Sequence, residues 1–559
     1  MNRIVPCFIL LSLLSACTPS STSTTTTAAN TGTTSILGDD PLASDAWHLQ
    51  NTGQSTFSSS AGTAGEDFNI LEVHNQEIKG SGIKIAISDS GVDVDHPDLI
   101  NTQLFNEHRN YSSDSSSTWR NGSPYPIEHE AHGTAVAGLA AAEADNSIGS
   151  RGVAPLAKYA GFLFIGNFHN SSSSYEAKTL DQMIGSFDIF NYSYGYVGCE
   201  FIPADASVVS AYKSGVTTLR SGKGAIYVKA AGNDYIGSNS DCENGATSYF
   251  IGNTNTSEDQ NLPYLIVTGA VNAKGKISSY STPGSGLWVT SAGGEYGTTS
   301  PAMLTTDIQG CSYGMGSSSL NSSCDYTSTM NGTSSAAPVL SGIIALILEA
   351  NPLLTWRDVK HILAKTSDPI NYSTSVVSHP GGTSWALSGY IYDYLYVRNA
   401  ANYDFSNTYG FGRVNAEKAV NMAKSYVLEL GAYVETDWST FSSGTLNLAI
   451  PDKSTAGVSS TINVSRSLVI ESIQIKVSTN HVFLGDIGIE LKSPSGTVSR
   501  ILHVNSNIDQ SGLSDFMMLS NAFYGENSSG PWTIKLIDGG AQDTGSLTNW
   551  KIKINGHDP

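Results

Sequence analysis

Short apolar runs alternate with segments of helical periodicity over the first three quarters of the chain. Between about residues 40 and 426, five runs have the length and composition of buried strands, namely 83–88, 159–164, 188–191, 225–230 and 265–270. Helices are predicted at 134–144, 334–349 and 356–365. Strands that alternate with helices are typical of a parallel sheet covered by helices on both faces. The pattern therefore predicts an α/β fold for this region.

Two of these helices carry further signals. Thr355 precedes the last one as an N-cap, and Asp358 follows three residues later in the spacing of a capping box. The segment 336–350 is almost entirely apolar but contains Pro338 and Ser341 and is short for a membrane span. We therefore expect it to be a buried central helix.

After about residue 433 the periodicity changes to the two-residue alternation of half-buried strands. The segments 468–477, 487–491 and 550–554 show it, and turn signals such as 494–496 and 538–540 separate them. A run of short strands with turns between them predicts an all-β sandwich of roughly 120 residues, within the usual size of a domain.

The N-terminus has the composition of an export signal. Arg3 lies in a short positive region, an apolar run covers 8–14, and small residues precede Cys17. Residues 14–17 resemble a bacterial lipobox, which implies cleavage before Cys17 and lipidation of its thiol. The alternative is an ordinary signal peptide in which Cys17 has no role. The segment from Thr18 onwards is rich in Ser, Thr and Ala and is typical of a flexible tether.

The chain of 559 residues thus divides into four predicted parts. These are a signal peptide at 1–17, a tether at 18–39, an α/β domain at 40–430 and a β sandwich at 433–559. The lipobox predicts a bacterial cell-envelope location, in the outer membrane through the lipid anchor, with release into the medium as the alternative.

Charge narrows the set of partners. The chain has 29 basic and 49 acidic residues, a formal net charge of -20 and a pI near 4.9. Such a surface repels polyanions, so we expect no nucleic-acid partner. Cations such as Ca²⁺ and basic peptides suit it better.

Four cysteines remain outside the export segment. An even number in an exported chain predicts two disulfides, and four cysteines allow three pairings. We favour Cys311 with Cys324, which flank one Gly/Ser-rich loop, and this leaves Cys199 with Cys242.

Four short strings carry candidate chemistry. Asp89 ends a predicted buried strand, His132 begins a helix of small residues, Asn233 follows another strand, and Ser334 starts the long apolar helix. Each alone has a simpler explanation as a turn, cap or core residue. Carboxylate, imidazole and hydroxyl in the order Asp, His, Ser are, however, the chain order of the subtilisin triad.

With these residues the chain resembles the subtilase superfamily, and within it the kexin/proprotein-convertase branch. The resemblance covers nearly everything from residue 40 to 556 and includes the segments 224–228, 288–295, 348–358 and 409–412. The sandwich is similar to the P domain of that branch at 485–491 and 530–534. It implies a subtilisin-like parallel sheet with helices on both faces, followed by a P domain.

The resemblance implies a serine endopeptidase that acts on proteins or peptides. His132 would act as the base for Ser334, Asp89 would orient the imidazole, and Asn233 with the Ser334 N–H would bind the oxyanion. The family's substrate-pairing segment corresponds to Ser193, Tyr194 and Gly195.

A calcium site is also implied by the family spacing. Its side-chain ligands would be Asp40, Asp98 and Asn146, with backbone carbonyls from Glu143, Ile148 and Ser150. The alternative is a set of ordinary surface polar residues.

The sequence departs from the family at three points. The acidic cluster that normally follows Gly195 is missing, and Glu200, Asp241 and Glu243 remain as candidate walls for a basic side chain. A second calcium site of the family is predicted to be lost, since Thr282 stands where an acid is expected. Only the tether separates Cys17 from Asp40, which leaves no room for a folding prodomain and points to a separate folding chaperone.

Three other interpretations stay open at this point. The specificity could be broad and subtilisin-like instead of basic. The chain could be an inactive binding protein on this scaffold, which the four filled roles argue against. The sandwich could be an independent adhesive or carbohydrate-binding module, because sandwiches host many functions.

Overall fold

The structure is a computed structural model. It describes residues 38–112, 122–126, 130–165, 172–195, 199–235, 252–316, 318–372, 387–392, 394–428, 430–440, 446–506 and 508–559. Cys17, Asp241, Cys242 and Glu243 lie outside these ranges.

The α-helices of the described part all precede the sandwich. They are α1 Ile70–His74, α2 His132–Ala141, α3 Ser172–Asp181, α4 Ala206–Thr218, α5 Thr333–Ala350, α6 Trp356–Thr366 and α7 Ala416–Ser425. The strands of the same region are β1 Lys84–Asp89, β2 Arg109–Asn110, β3 Lys158–Leu163, β4 Ile189–Tyr192, β5 Ile226–Ala230, β6 Leu265–Val271, β7 Val289–Ala292, β8 Met303–Thr306, β9 Tyr326–Met330, β10 Val397–Arg398 and β11 Asp404–Phe405.

Seven of these strands form one parallel sheet in the order β2-β3-β1-β4-β5-β6-β7. Strands β4 to β7 are buried at every position, because helices cover both faces of a parallel sheet. The five predicted strands lie within one residue of the observed bounds. The carboxyl ends of β1, β4 and β5 therefore meet along one edge, where open α/β sheets bind ligands.

Helix α5 is the central helix of this layer. It contacts β4, β5, β6 and β7 as well as α2, and fifteen of its residues are buried. It is the one described helix long and apolar enough to cross a membrane, and its burial within the fold confirms the prediction of a core helix.

The predicted helix at 134–144 needs a correction. Helix α2 begins at His132 and ends at Ala141, because the backbone turns extended at Ala142 and the next N–H, of Glu143, bonds the Asp98 carbonyl at 2.8 Å. The capping box at Thr355 and Asp358 is confirmed at the start of α6.

The remaining strands form the sandwich. They are β12 Tyr433–Glu435, β13 Leu448–Ala449, β14 Ser454–Val464, β15 Val469–Thr479, β16 Ile487–Lys492, β17 Val498–Leu502, β18 Leu513–Ser520, β19 Gly530–Asp538 and β20 Ser546–His557. One sheet follows the order β12-β20-β15-β18, with β13 beside β20, and the other follows β14-β19-β16-β17. Apolar side chains from both sheets form a second core.

The sandwich and the parallel-sheet region belong to one compact unit. Phe201, from the parallel-sheet region, lies in the core of the sandwich, and Met517, Ala522 and Tyr524 of the sandwich pack in the other core. The two regions thus share their hydrophobic interiors.

Candidate active site

Asp89 is the last residue of β1, and its carboxylate is completely buried. Asp89 Oδ1 accepts hydrogen bonds from His132 Nδ1 at 2.7 Å and from the Ser90 N–H at 2.7 Å. A buried carboxylate bonded to Nδ1 holds the imidazole in one orientation, with Nε2 directed away from the carboxylate.

The small residue after His132 makes this approach possible. A Cβ atom at Gly133 would lie 2.0 Å from the carbonyl oxygen of Gly91 and 3.1 Å from the Cβ of Asp89. Any larger side chain would push α2 away from β1 and lengthen the bond between His132 and Asp89.

The environment of His132 favours its charged form. Desolvation lowers the pKa of His132, but the charge of Asp89, its hydrogen bond and the charge of Glu130 together raise that pKa above its ordinary value. The side chain remains 30% exposed and so stays open to a substrate. An imidazole of this kind can accept a proton near neutral pH and be stabilised while charged.

Ser334 lies in the first turn of α5, next to the positive end of the helix dipole. Gly332 precedes the helix with φ of 97°, a backbone conformation that favours glycine, and its N–H donates to the Tyr280 hydroxyl at 2.8 Å. Ser334 Oγ donates to the Ser193 carbonyl at 3.0 Å. The Ser334 hydroxyl is therefore bonded to Ser193 and not to His132 in the described part of the chain. Catalytic hydrogen bonds are often loose in free enzymes.

A proline explains how Ser193 is held beside Ser334. Pro338 has no N–H, so the Ser334 carbonyl four residues earlier lacks its helical partner. The Ser193 hydroxyl donates to that carbonyl at 2.8 Å and accepts from Asn191 Nδ2 at 2.9 Å. Ser341 in turn donates to Asn191 Oδ1 at 3.0 Å. The end of β4 is therefore locked onto the start of α5.

Asn233 follows β5 at the same sheet edge. Its Oδ1 accepts from the Thr333 N–H at 2.9 Å and from the Thr333 hydroxyl at 3.1 Å. The oxygen of the amide is thereby engaged, and Nδ2 is left as a donor on an exposed residue beside Ser334. An oriented amide and helix N–H groups are the donors that an oxyanion requires.

A cavity of about 250 Å³ opens next to Ser334. Its lining includes Tyr194, Gly195, Glu200, Ile202, Ala230, Ala231, Asp234, Ser257, Gln260 and Thr282. Tyr194, Gly195 and Glu200, which the sequence analysis assigns to substrate binding, thus line this cavity together with residues that it does not identify.

Asp234 is the most important of the missed residues. It directly follows Asn233, a signal that could have identified it, and burial raises the pKa of its carboxyl group. Asp234 and Glu200 both line the cavity, and no Lys or Arg side chain in the described part pairs with either one. The cavity therefore presents two carboxylates without a counter-charge.

The cysteines follow the favoured pairing where the structure describes them. Cys311 and Cys324 form a disulfide with Cα atoms 5.0 Å apart. Cys199 is also disulfide-bonded.

Three of the predicted calcium ligands, Asp40, Asp98 and Asn146, are hydrogen-bonded to one another at the loop that follows the C-terminal end of α2. The N–H of Asn146 donates to Asp40 Oδ1 at 3.1 Å, and Asn146 Nδ2 donates to Asp98 Oδ1 at 2.7 Å. Glu143, Ile148 and Ser150 belong to the same loop. The Glu143 carboxylate bonds Asn101 instead, which leaves only its carbonyl as a candidate ligand.

Only one of the two carboxylates in this cluster has a cationic partner among the described residues. Arg151 balances Asp40, with 2.6 Å between Nη2 and Oδ2. Asp98 is completely buried, and its carboxylate accepts hydrogen bonds from neutral donors, namely Asn146, the Tyr326 hydroxyl and the backbone of Ser150. Desolvation raises the pKa of Asp98 to about 7, and the charge of Asp40 adds to the effect. The described residues contain no group of three or more His, Cys, Asp and Glu placed for a metal, so a cation here would need amide and carbonyl oxygens as well.

Comparison with known proteins agrees with this geometry. Residues 80–412 match the model of the subtilase family, and residues 470–554 match the proprotein convertase P-domain. The chain is 33% identical to an extracellular serine protease of Aeromonas sobria over 94% of this chain and 92% of that one. It is 29% identical to neuroendocrine convertase 2 of Rattus norvegicus over 93% of this chain and 74% of that one.

One solved structure is similar along almost the whole length. The crystal structure of the Aeromonas sobria serine protease in complex with a chaperone has a TM-score of 0.83 and 30% identity, covering 93% of this chain and 96% of that chain.

Proposed function

Since this chain belongs to the subtilase family, as a subtilisin-type serine protease with a C-terminal P domain, we propose that it cleaves peptide chains after basic residues with Ser334 as nucleophile. The hydrogen bond from His132 to the buried Asp89 supports the roles of base and orienting residue. The two unpaired carboxylates of the cavity beside Ser334 support the preference for Lys or Arg.

The proposed reaction is an acyl transfer in two halves. Ser334 Oγ attacks the carbonyl carbon of the substrate while its proton passes to His132, and the carbonyl oxygen becomes an oxyanion held by Asn233 and the Ser334 N–H. The C–N bond then breaks, and His132 gives the proton to the leaving amine. Water, activated by His132, hydrolyses the acyl-enzyme and restores Ser334.

The preference for a basic residue follows from the charge of the cavity. A carboxylate in a partly buried site is poorly solvated, and a guanidinium or ammonium group would supply the missing counter-charge. Asp234 is a half-buried acid of this kind, and Glu200 is an exposed acid in the same lining. Asp241 and Glu243 are further candidate acids from the sequence. Ile202, Ala230 and Ala231 line the same cavity, which favours cleavage after Leu or Phe as the second candidate.

A cleavage profile on a mixed peptide library tests the preference. We expect Arg or Lys before the cleaved bond, and Asp234→Asn should lower kcat/KM for Arg peptides about tenfold, equivalent to about 1.4 kcal/mol. Cleavage after Leu should hardly change. Asp95→Asn is the matched control, since it removes one negative charge from an exposed side chain outside the cavity. A wild-type enzyme that prefers Leu or Phe over Arg would contradict the proposal.

We also propose calcium as a cofactor held by Asp40, Asp98 and Asn146. The cation would neutralise the buried Asp98 carboxylate and stabilise the loop after α2. Its chemistry would be structural, because Ca²⁺ with oxygen ligands there is separate from the residues that act on the substrate.

The proposal includes export with the help of a separate chaperone. The similar protease of Aeromonas sobria is named as extracellular, and its crystal structure contains a chaperone.

For this chain, residues 14–17 support a lipid anchor on Cys17. If Cys17 is lipidated, the protein should fractionate with membranes. Cys17→Ser should release the protein from the membrane or block its processing. A freely secreted wild type that starts beyond Cys17 would refute the anchor.

A further inference from the structure

Two segments form one wall of the cavity. Residues 199–204 carry Glu200, and residues 252–260 carry Ser257 and Gln260. They join as a short parallel bridge, in which the N–H of Ile202 donates to the Thr256 carbonyl at 2.9 Å and the N–H of Glu258 donates to the Ile202 carbonyl at 2.9 Å.

Successive side chains of the second segment point to different neighbours. Gln260 lines the cavity, and its Nε2 donates to the Ala230 carbonyl at 3.2 Å. Asp259 pairs with the buried Lys229 of β5 at 3.1 Å. Glu258 does neither, and its carboxylate is directed towards the sandwich.

The Glu258 carboxylate joins three pieces of chain. Oε2 accepts from the N–H of Ala204, in the segment that carries Glu200, at 3.0 Å. Oε1 accepts from the N–H of Met517, in strand β18 of the sandwich, at 2.6 Å. Charge-assisted hydrogen bonds of this kind are stronger than neutral ones and define a geometry.

The sandwich also holds both neighbours of Glu200. The N–H of Asp509 donates to the Cys199 carbonyl at 2.7 Å, and the N–H of Phe201 donates to Gln510 Oε1 at 3.1 Å. The ring of Phe201 packs in the sandwich core, 4.7 Å from the ring of Phe516. The backbone on each side of Glu200 is thus bonded to the sandwich.

We infer that the sandwich supports this wall of the specificity cavity and that Glu258 is the positioning residue through which β18 fixes the segment that carries Glu200. The cavity lining contains no residue of the sandwich among the described residues, so the sandwich acts on substrate binding through this wall and is not a separate module. This inference rests on the proposed function in one respect, namely that the cavity receives the substrate residue before the cleaved bond.

The test compares two single substitutions of interdomain carboxylates. Glu258→Gln keeps one acceptor oxygen but turns an amide N–H₂ towards a backbone N–H, so one of the two bonds is lost. Glu471→Gln is the matched control, because Glu471 of β15 bonds Arg357 of α6 and does not line the cavity. Each variant is assayed on two peptides, one with the residue that the wild type prefers before the cleaved bond and one with Ala there.

We expect Glu258→Gln to raise KM for the preferred peptide by about fivefold to tenfold, with kcat and the Ala peptide changed less than about twofold. The rate at which a small fluorophosphonate labels Ser334 should stay near the wild-type rate, because that probe does not need the cavity. Glu471→Gln should lower the melting temperature and leave the ratio of the two peptides unchanged. Gln510→Ala, which removes only the acceptor of the Phe201 N–H, should shift the ratio in the same direction by less.

Two results would overturn the inference. One is a wild-type peptide ratio in both Glu258→Gln and Gln510→Ala, and the other is an equal shift in Glu471→Gln, which would indicate general loosening. If Glu258→Gln yields no labelled protein, Gln510→Ala decides. A wild type that prefers Leu would overturn the basic specificity alone, since the peptide ratio still tests the wall.

Discussion

At the level of single residues, a few polar side chains of the site have defined hydrogen-bond partners. Asn233 is one of them, because Thr333 engages its amide oxygen and leaves Nδ2 for the oxyanion. Asn233→Ala should lower kcat by about a hundred- to a thousandfold with little change in KM, the usual loss for one oxyanion donor. Thr333→Val, which removes only the hydroxyl that orients the amide, should cost less. Equal kcat in wild type and Asn233→Ala would contradict the assignment.

His132 gives a prediction on pH. The neutral form of His132 accepts the serine proton. Desolvation lowers the pKa of His132, but the charge of Asp89 and its hydrogen bond outweigh this effect, so the pKa lies above its ordinary value. Acylation should therefore fall as the pH drops through a single ionisation above the ordinary value of about 6.5. Labelling rates measured over about pH 5 to 8 would show this limb. Glu130→Gln should move it to lower pH, because the charge of Glu130 also raises the pKa. A limb below the ordinary value of histidine would contradict this account.

The sequence could predict the reactive residues but not all of their contacts. Asp89, His132, Asn233 and Ser334 lie in local strings whose chemistry can be read directly. Asp234 was missed although it is next to Asn233, because the expected acids came from the family pattern. The bond between Glu258 and Met517 joins residues 259 positions apart, and no local pattern predicts it.

At the scale of secondary-structure elements, the loop after α2 carries a prediction on calcium. A cation bound only by the folded state stabilises it by mass action, by about 2.7 kcal/mol at a hundredfold excess over Kd. EDTA should therefore lower the melting temperature of the wild type. Asp98→Ala should melt lower and lose most of its response to EDTA, whereas Asp95→Ala, at a neighbouring exposed position, should keep it. If EDTA lowers the melting temperature of all three proteins equally, the cation binds elsewhere. If EDTA changes none of the three melting temperatures, the cluster holds no metal.

The buried strands of the parallel sheet are easier to predict from the sequence than the side-chain contacts are. Buried parallel strands are continuous apolar runs, so their bounds can be located to within one residue. Helix α2 was less predictable, because every residue after His132 is buried and the helix therefore shows no amphipathic period.

At the scale of the whole molecule, the sandwich and the parallel-sheet region depend on each other. Asn255 Nδ2 donates to the carbonyls of Ile501 and Leu519, Asn521 Nδ2 donates to the carbonyls of Gly286 and Leu287, and Phe201 lies in the sandwich core. Removal of the sandwich would take away these hydrogen-bond partners and expose the apolar surface that the two regions share.

A fragment of residues 40–424 should therefore fail to fold into an active protease. Melting curves and fluorophosphonate labelling of the fragment beside the full chain would measure this. A fragment that melts cooperatively and is labelled at the full-length rate would show instead that the sandwich is an added module.

The central claim is that Ser334 is the nucleophile of a triad with His132 and Asp89. The most direct measurement is mass spectrometry of the full chain after reaction with a fluorophosphonate, with Ser334→Ala and His132→Ala in parallel. We predict one covalent adduct, on the peptide that contains Ser334, no adduct in Ser334→Ala and a greatly slowed reaction in His132→Ala, together with loss of peptide hydrolysis in both variants. An adduct on another residue, or peptide hydrolysis by Ser334→Ala at even a tenth of the wild-type rate, would contradict the account.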